Sequence, residues 1–511
     1  MTAASGLAFG RRHALFLGLL ACGAALRLEV ALAYKPALII DDSQGFLANA
    51  ENLRPDELHP MGYAVFLWLL HTSHGLARVA LAQHAIGLVI ALLIYVLLLR
   101  LGVRGWASAL AAAPVLLDAY QLDLEQFVLA EALFELLLVG TCAALLWRRQ
   151  PGMVEAGIAG LLCAATALTR PNGMVVIAPA LLTLLFLRWR GMSEVRSVLP
   201  AAAALLVAFA VPVAGYAIWF HSLHGTYAIT SNGGRFLYGR VTPFADCSKF
   251  SLPADERVLC PTAPVGHRPT LAGSTVEYYE WGGESPIWRI PPDSRSRVGG
   301  AFAKRVIRHQ PLDYLRAVTH DFRRGFALTR TSQRGELWIS RWQFPMTYPV
   351  YLKDTAAIIR AHGGGRPRVD RGRARLLRDY QRFGFTPGPV LIVGLIAGLL
   401  AALGVSRARR SGLRSASFLF VAMGVVVFAS SVIVNQFSWR YQLSLIVLLP
   451  PAAALGLTAL LSAEPARRRA PAAPAPLLGS AGLRLAGPAS SASGTESSSD
   501  RSAHRSARRS R

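Results

Sequence analysis

The sequence predicts an all-α polytopic membrane protein of about ten transmembrane helices that carries a mixed extracytoplasmic loop domain. Three observations predict it. Of 511 residues, 53% are hydrophobic and only 16% charged, and the apolar ones gather in runs of Leu, Ala, Val and Ile as long as a bilayer is thick. Every second gap between runs is rich in arginine, the pattern of cytoplasmic loops. One gap, from about His221 to Gly388, is long enough to hold a small domain.

Windows of bilayer width place spans at about Ala14–Val30, Val79–Leu99, Trp106–Tyr120, Val128–Leu146, Val154–Leu168, Met174–Leu187, Val198–Phe220, Val390–Val405, Ala416–Val434 and Leu445–Leu461. Arg11 and Arg12 before the first run can also be read as the start of a signal peptide. We expect a retained helix, because the run continues past Arg27 and Glu29.

Arg100 and Arg104, Arg148 and Arg149, Arg188, Arg190 and Arg196, and Arg407, Arg409, Arg410 and Arg414 mark the cytoplasmic gaps. The remaining gaps then face outward. This gives an amino-terminal membrane module over 1–220, an extracytoplasmic loop domain over 221–388, a carboxy-terminal membrane module over 389–462 and a basic tail over 463–511. The tail begins with Arg467, Arg468 and Arg469 and lacks the apolar periodicity to build a core, so we expect it disordered. The expected location is the cell (plasma) membrane, multi-pass, with both termini cytoplasmic. Within the loop, Phe302, Val306, Leu315, Val318 and Phe322 recur at helical steps around Pro311, which suggests amphipathic helices over the membrane part. Arg305, Arg308, Arg316, Arg323 and Arg324 would line their polar faces.

The formal charge of +25 comes almost wholly from arginine, since lysine stands only at 35, 249, 304 and 353. Its placement beside apolar runs and in the tail fits anionic lipid headgroups rather than nucleic acid. Cys22, Cys142 and Cys163 fall inside apolar runs and read as small hydrophobes. Cys247 and Cys260 lie in a polar stretch placed outside the membrane, where oxidising conditions permit a disulfide, and we expect them to pair. Two free thiols are the alternative, because spacing does not supply bond geometry.

Ionisable and polar residues are costly near a membrane, and here they are expected at the outer ends of spans: Asp41, Asp42, His59, Asp118, Asp123, Glu125, Glu131, Arg170, Asn172, Arg440 and Tyr441. A carboxylate at a dry boundary can act as a general base, which fits the pair in IIDDSQGF. Capping of a helix by Asp42 or Ser43 is the plainer reading. Glu131 and Glu135 share one helix face, as an acidic wall or as a bonded pair filling a polar gap. Arg170 in ALTRPNG and Arg440 in QFSWRYQLS suit either a lipid phosphate or simple snorkelling, with Trp439 and Tyr441 as an aromatic belt. There is no glycine-rich phosphate loop, HExxH, nucleophile elbow or close Cys/His cluster, so nucleotide hydrolysis and zinc chemistry have no support. No cofactor is required; paired acids can hold a divalent cation through oxygen ligands.

Taken in order, DDSQGF, HPMGY, AQHAIGLVIALL, LAEALFELLL, ALTRPNG, the large outer loop and the late Arg440–Tyr441 pair resemble the GT-C superfamily. These are polytopic glycosyltransferases that use polyprenyl-phosphate-linked sugars, and the likeness is greatest to bacterial relatives of the family 39 protein mannosyltransferases. It covers about Arg12 to Leu461. The resemblance implies a cavity open to the outer leaflet in which Asp42, or Asp41, activates an acceptor hydroxyl. Arg170, Arg440 and the loop arginines would stabilise the departing phosphate, and His59, Glu131, Asn172 and Tyr441 would line the substrate site. Relatives usually carry Tyr at Phe46 and Pro at Met61 and Ser444, which weakens any transfer of substrate detail. The segment around Cys247 and Cys260 also looks like outer domains of actinobacterial members.

The expected activity is therefore inverting hexosyl or pentosyl transfer. A sugar would pass from a polyprenyl-phosphate donor to an envelope glycan, lipid or protein acceptor, with membrane lipids as surroundings and no nucleic acid. The alternative is a transporter or flippase of lipid-linked saccharides, which should show matched halves and broken helices; no such internal repeat is visible. A non-catalytic scaffold on the same fold is a third reading.

Overall fold

Each apolar window folds as an α-helix in the computed structural model, whose described residues are 3–72, 75–189 and 195–462. The tail from residue 463, with Arg467, Arg468 and Arg469, lies outside the described residues, as do Arg190 and the side chains of Arg11, Arg188 and Arg196. The first helix, α1 (Ala3–Ala33), leads through the short α2 (Asp41–Asn52) and α3 (Met61–Leu69) to α4 (Ala77–Arg100) and α5 (Gly105–Leu117). Next come α6 (Ala119–Gln126), α7 (Glu131–Leu146), α8 (Met153–Thr169), α9 (Ile177–Trp189) and α10 (Val195–His224). The long loop folds into α11 (Gly233–Val241), α12 (Ala254–Arg257), α13 (Thr275–Trp281), α14 (Pro292–His309), α15 (Pro311–Arg324), α16 (Thr355–Ala361) and α17 (Arg371–Gln381). The chain then returns through α18 (Gly388–Leu403), α19 (Arg414–Val434) and α20 (Leu443–Leu461). The fold is all-α: the one sheet pairs two-residue strands, β1 (Tyr34–Lys35) with β2 (Arg368–Val369), among the described residues.

Among the described residues, five helices are long and apolar enough to cross a bilayer: α1, α4, α10, α19 and α20 with its preceding turn. α5, α8, α9 and α18 are shorter apolar helices. Close packing comes from small residues, as is usual where lipid removes the hydrophobic drive between helices. A Cβ on Gly394 would stand 2.3 Å from the Leu449 carbonyl oxygen, and one on Gly456 would stand 2.4 Å from that of Ala397, so α18 and α20 meet backbone to backbone. The arginine-rich gaps bind helix ends: Arg100 Nε donates to the Trp147 carbonyl at 2.7 Å, and Arg414 Nε to that of Ala402 at 3.0 Å.

Three expectations need correction. The third window does not run on to Tyr120; α5 stops at Leu117 because Asp118 turns out as the cap of α6, accepting from the Tyr120 amide at 3.0 Å. Ionisable groups also do not stay at the outer ends of spans, since α6 is buried along its whole length. Its Glu125 pairs with Arg27 of α1 at 2.7 Å and with His84 of α4 at 2.9 Å, about 10 Å inside the ends of those helices. Lastly, Leu315 is 57% exposed, whereas Phe302 and Val306 are buried in a small loop core with Tyr238 and Leu259. Cys247 and Cys260 are joined by a disulfide beside that core.

Later parts of the loop pack into the spans rather than stand apart. Trp342 and Phe344 are buried with Tyr34, Phe127 and Trp439. Arg330 grips Asp118 with both Nη atoms, at 3.1 and 2.9 Å, and both side chains are buried.

Candidate active site

The start of α2 is held by its own sequence. Ser43 Oγ accepts from the Ile40 amide at 3.0 Å and donates to the Val128 carbonyl at 2.9 Å. Leu38 exchanges backbone hydrogen bonds of 3.0 Å with Gln126 and Val128. This short ladder ties the segment carrying Asp42 to the segment that opens α7 with Glu131. Ser43 thus makes the capping bond at the start of α2, and the Asp42 carboxylate is left for tertiary partners.

Arg170 is aimed by the proline after it. A residue before proline is driven out of the helical region; Arg170 has φ −147° and ψ 139°, which ends α8 at Thr169. Arg440 stands on the 3-10 turn Trp439–Gln442 that enters α20. The ends of α8, α7 and α20 therefore converge with the start of α2.

There, Arg440 Nη1 donates to Asp42 Oδ2 at 2.6 Å, while its Nε donates to Glu131 Oε1. The same Glu131 oxygen accepts from Arg170 Nη1. The Arg170 guanidinium lies 5.8 Å from the Tyr441 ring and 5.7 Å from Phe134, and that of Arg440 lies 5.7 Å from Trp342. The Glu131 side chain is 5% exposed and that of Asp42 is 31% exposed, so Asp42 is the more open of the two carboxylates.

His59 completes the acidic side. Its Nε2 is 3.7 Å from Asp42 Oδ1 and its Nδ1 is 3.2 Å from Asp56 Oδ2. Asp56 in turn accepts from the Leu58 amide at 2.7 Å. Gly45 makes room: a Cβ there would stand 2.9 Å from His59 Nδ1. Burial works against the charged imidazole, but bonds to Asp42 and Asp56 push the His59 pKa up to about 9. Burial likewise opposes ionisation of Asp42, yet Arg440 and His59 outweigh it and hold that carboxyl well below the usual range. Asp41 faces elsewhere: 52% exposed, it takes Arg341 Nη2 at 2.6 Å.

Four of the residues named from sequence thus meet directly, Asp42, Glu131, Arg170 and Arg440, with His59 and Tyr441 against them. Asn172 is engaged apart, donating to Ser431 Oγ of α19 at 3.0 Å. Glu135 does not extend an acidic wall; it accepts from Gln121 Nε2 at 2.7 Å deeper in the bundle. Sequence reading missed Asp56, Arg341 and Glu277. The position of Asp56 three residues before His59 was a local signal; Arg341 and Glu277 come from the loop and carried none. Glu277 makes no ion pair among the described residues and accepts from Gln436 Nε2 at 3.1 Å, and burial raises its pKa against the pull of Arg341. Among the described residues, no three His, Cys, Asp or Glu side chains gather as metal ligands.

No family model and no curated protein matches the chain. Similar solved structures include the protein O-mannosyltransferase complex of S. cerevisiae bound to the sugar donor, at 15% identity and TM-score 0.34, over 50% of this chain and 37% of that one. The oligosaccharyltransferase of Archaeoglobus fulgidus is similar in two states. Tethered to an acceptor peptide it gives 13% identity and TM-score 0.40 over 86% of this chain and 49% of that one. With an inhibitory peptide and a dolichol-phosphate it gives 13% identity and TM-score 0.39 over 87% and 50%. The chain thus spans half or less of each of these proteins. Likeness this distant leaves the functional reading to the charged cluster itself.

Proposed function

We propose that the protein is an inverting glycosyltransferase that moves a sugar from a polyprenyl-phosphate carrier to a hydroxyl of an envelope glycan, lipid or protein. The reaction would take place at the outer face of the cell membrane, with both termini cytoplasmic. The observation that carries the reading is the Asp42–Arg440–Glu131–Arg170 assembly, one partly open carboxylate set against two guanidiniums where the ends of several apolar helices meet.

Such a site suits a single displacement. The acceptor hydroxyl loses its proton to Asp42 as its oxygen bonds the anomeric carbon, and the bond from that carbon to the carrier phosphate breaks with its electrons going to the phosphate. The charge that develops there falls to Arg440 and Arg170. Phosphate is a good leaving group, so no acid is needed on that side. At rest Asp42 is a weak base, because Arg440 and His59 stabilise its ionised form. A donor phosphate that draws Arg440 toward itself would free the carboxylate, so donor binding and base strength are coupled.

Reconstitution with a polyprenyl-phosphate sugar and membrane acceptors tests the proposal. Asp42→Asn and Asp42→Ala should lower turnover by about a hundredfold or more while the protein stays folded. Equal transfer by both variants would remove Asp42 from the mechanism, and movement of the lipid-linked sugar without transfer would turn the reading to a flippase.

A further inference from the structure

The helix α15 is built with two unlike faces. Val318 and Phe322 turn inward, Phe322 lying 5.6 Å from Phe428 of α19, and Tyr314 Oη donates to the Ile433 carbonyl at 2.9 Å. From Ile433 to Phe428 is five residues, about 7 Å of helix rise, so α15 runs beside the last turns of a membrane-spanning helix. In the topology proposed above, that end of α19 faces outward.

The opposite face has no reason in the fold. Leu312 and Leu315 are 66% and 57% exposed, and Leu328 beyond the helix is 66% exposed. Interleaved at helical spacing stand Arg316, Thr319, His320 and Arg323, and together these side chains line a groove of about 680 Å³. Arg324, also in the groove wall, has its charge taken by buried Glu336 at 2.6 Å. Of the carboxylates nearby, Asp321 is bound to Arg240 at 2.7 Å and to His320 at 3.1 Å, and Asp313 lies 3.3 Å from Arg316 and 3.9 Å from Lys249. Arg323 makes no ion pair among the described residues, so the groove keeps an excess of positive charge beside exposed leucines.

We propose that this groove binds an anionic phospholipid, with the phosphate between Arg316 and Arg323 and apolar parts of the lipid against the exposed Leu312 and Leu315. Two guanidiniums answer the phosphate, and the leucines answer the chain that a soluble phosphate lacks. The site is separate from the Asp42 cluster and does not depend on what reaction occurs there.

The test is native mass spectrometry of the detergent-purified full chain with added phosphatidylglycerol or phosphatidylcholine. Wild type should hold phosphatidylglycerol in preference to phosphatidylcholine. Arg316→Gln with Arg323→Gln should weaken that binding roughly tenfold or more, and Leu312→Ser with Leu315→Ser should weaken it without changing charge. Undiminished binding by the arginine pair of variants, or equal retention of the two lipids by wild type, would overturn the proposal. Displacement of phosphatidylglycerol by millimolar inorganic phosphate would overturn the choice of a lipid as occupant.

Discussion

The Arg440 guanidinium donates to the Asp42 carboxylate at 2.6 Å across 398 positions of sequence. The contact joins the first loop after α1 to the turn before α20, and it leaves Arg440 Nε for Glu131. One arginine thus controls the charge state of the open carboxylate and shares in the buried one.

Arg440→Gln should shift the acid limb of the kcat/KM profile upward. That limb reports the free enzyme's base; removing Arg440 leaves burial, which raises the Asp42 pKa, opposed by His59 alone. A pH–rate series on both proteins checks it, and an unmoved limb would mean that Asp42 is not the titrating base. Turnover should also fall, because a neutral glutamine cannot take up the charge that develops on the departing phosphate.

Glu131→Gln should destabilise the protein by roughly 3 kcal/mol, because two largely buried guanidiniums lose their shared counter-charge. Glu135→Gln is the matched comparison. It accepts from Gln121 and makes no ion pair among the described residues, and an amide oxygen can keep that bond, so the cost should be small. Thermal midpoints of the two variants in one detergent separate these outcomes.

His59 gives a pH signature. Its pKa is 6.5 ordinarily and about 9 in the folded protein, so its contribution to stability is complete below pH 6.5 and fades as pH rises through 9. That contribution should be on the order of 3 kcal/mol. Thermal midpoints between pH 6 and 10 should fall in wild type and lose this slope in His59→Gln.

Arg330→Ala should cost roughly 3–5 kcal/mol, since it leaves Asp118 buried without its bidentate partner. Protease sensitivity of the loop, measured alongside the thermal midpoint, should rise because Arg330 is what fastens it to α6.

Opening of the Cys247–Cys260 bond should remove about 3 kcal/mol from the loop, the entropy of closing a short ring. Thiol labelling with intact-mass analysis should find both sulfurs blocked until a reductant is added.

How legible was the site beforehand? Asp42, Glu131, Arg170 and Arg440 each stand out because a charge beside an apolar run is expensive, and that expense is visible in one dimension. Their grouping was not. Nor was the fate of Glu125, which reads as an outer-loop acid yet lies buried against Arg27 and His84 because α6 folds inward. Leu315 misled for a related reason: helical spacing fixes which residues share a stripe, but which stripe meets α19 depends on how α15 is rotated against it.

Taken alone, the amino-acid sequence determined the helical class and roughly where the apolar helices lie. These follow from hydrophobic length, a local property of the chain. Only the tertiary structure decided that Asp42 faces Arg440 instead of capping α2, that one Glu131 oxygen serves two arginines, and that Arg341 and Glu277 descend from the loop. Such pairings are set by how helix ends meet, and a contact between residues hundreds of positions apart leaves no periodic trace in either segment.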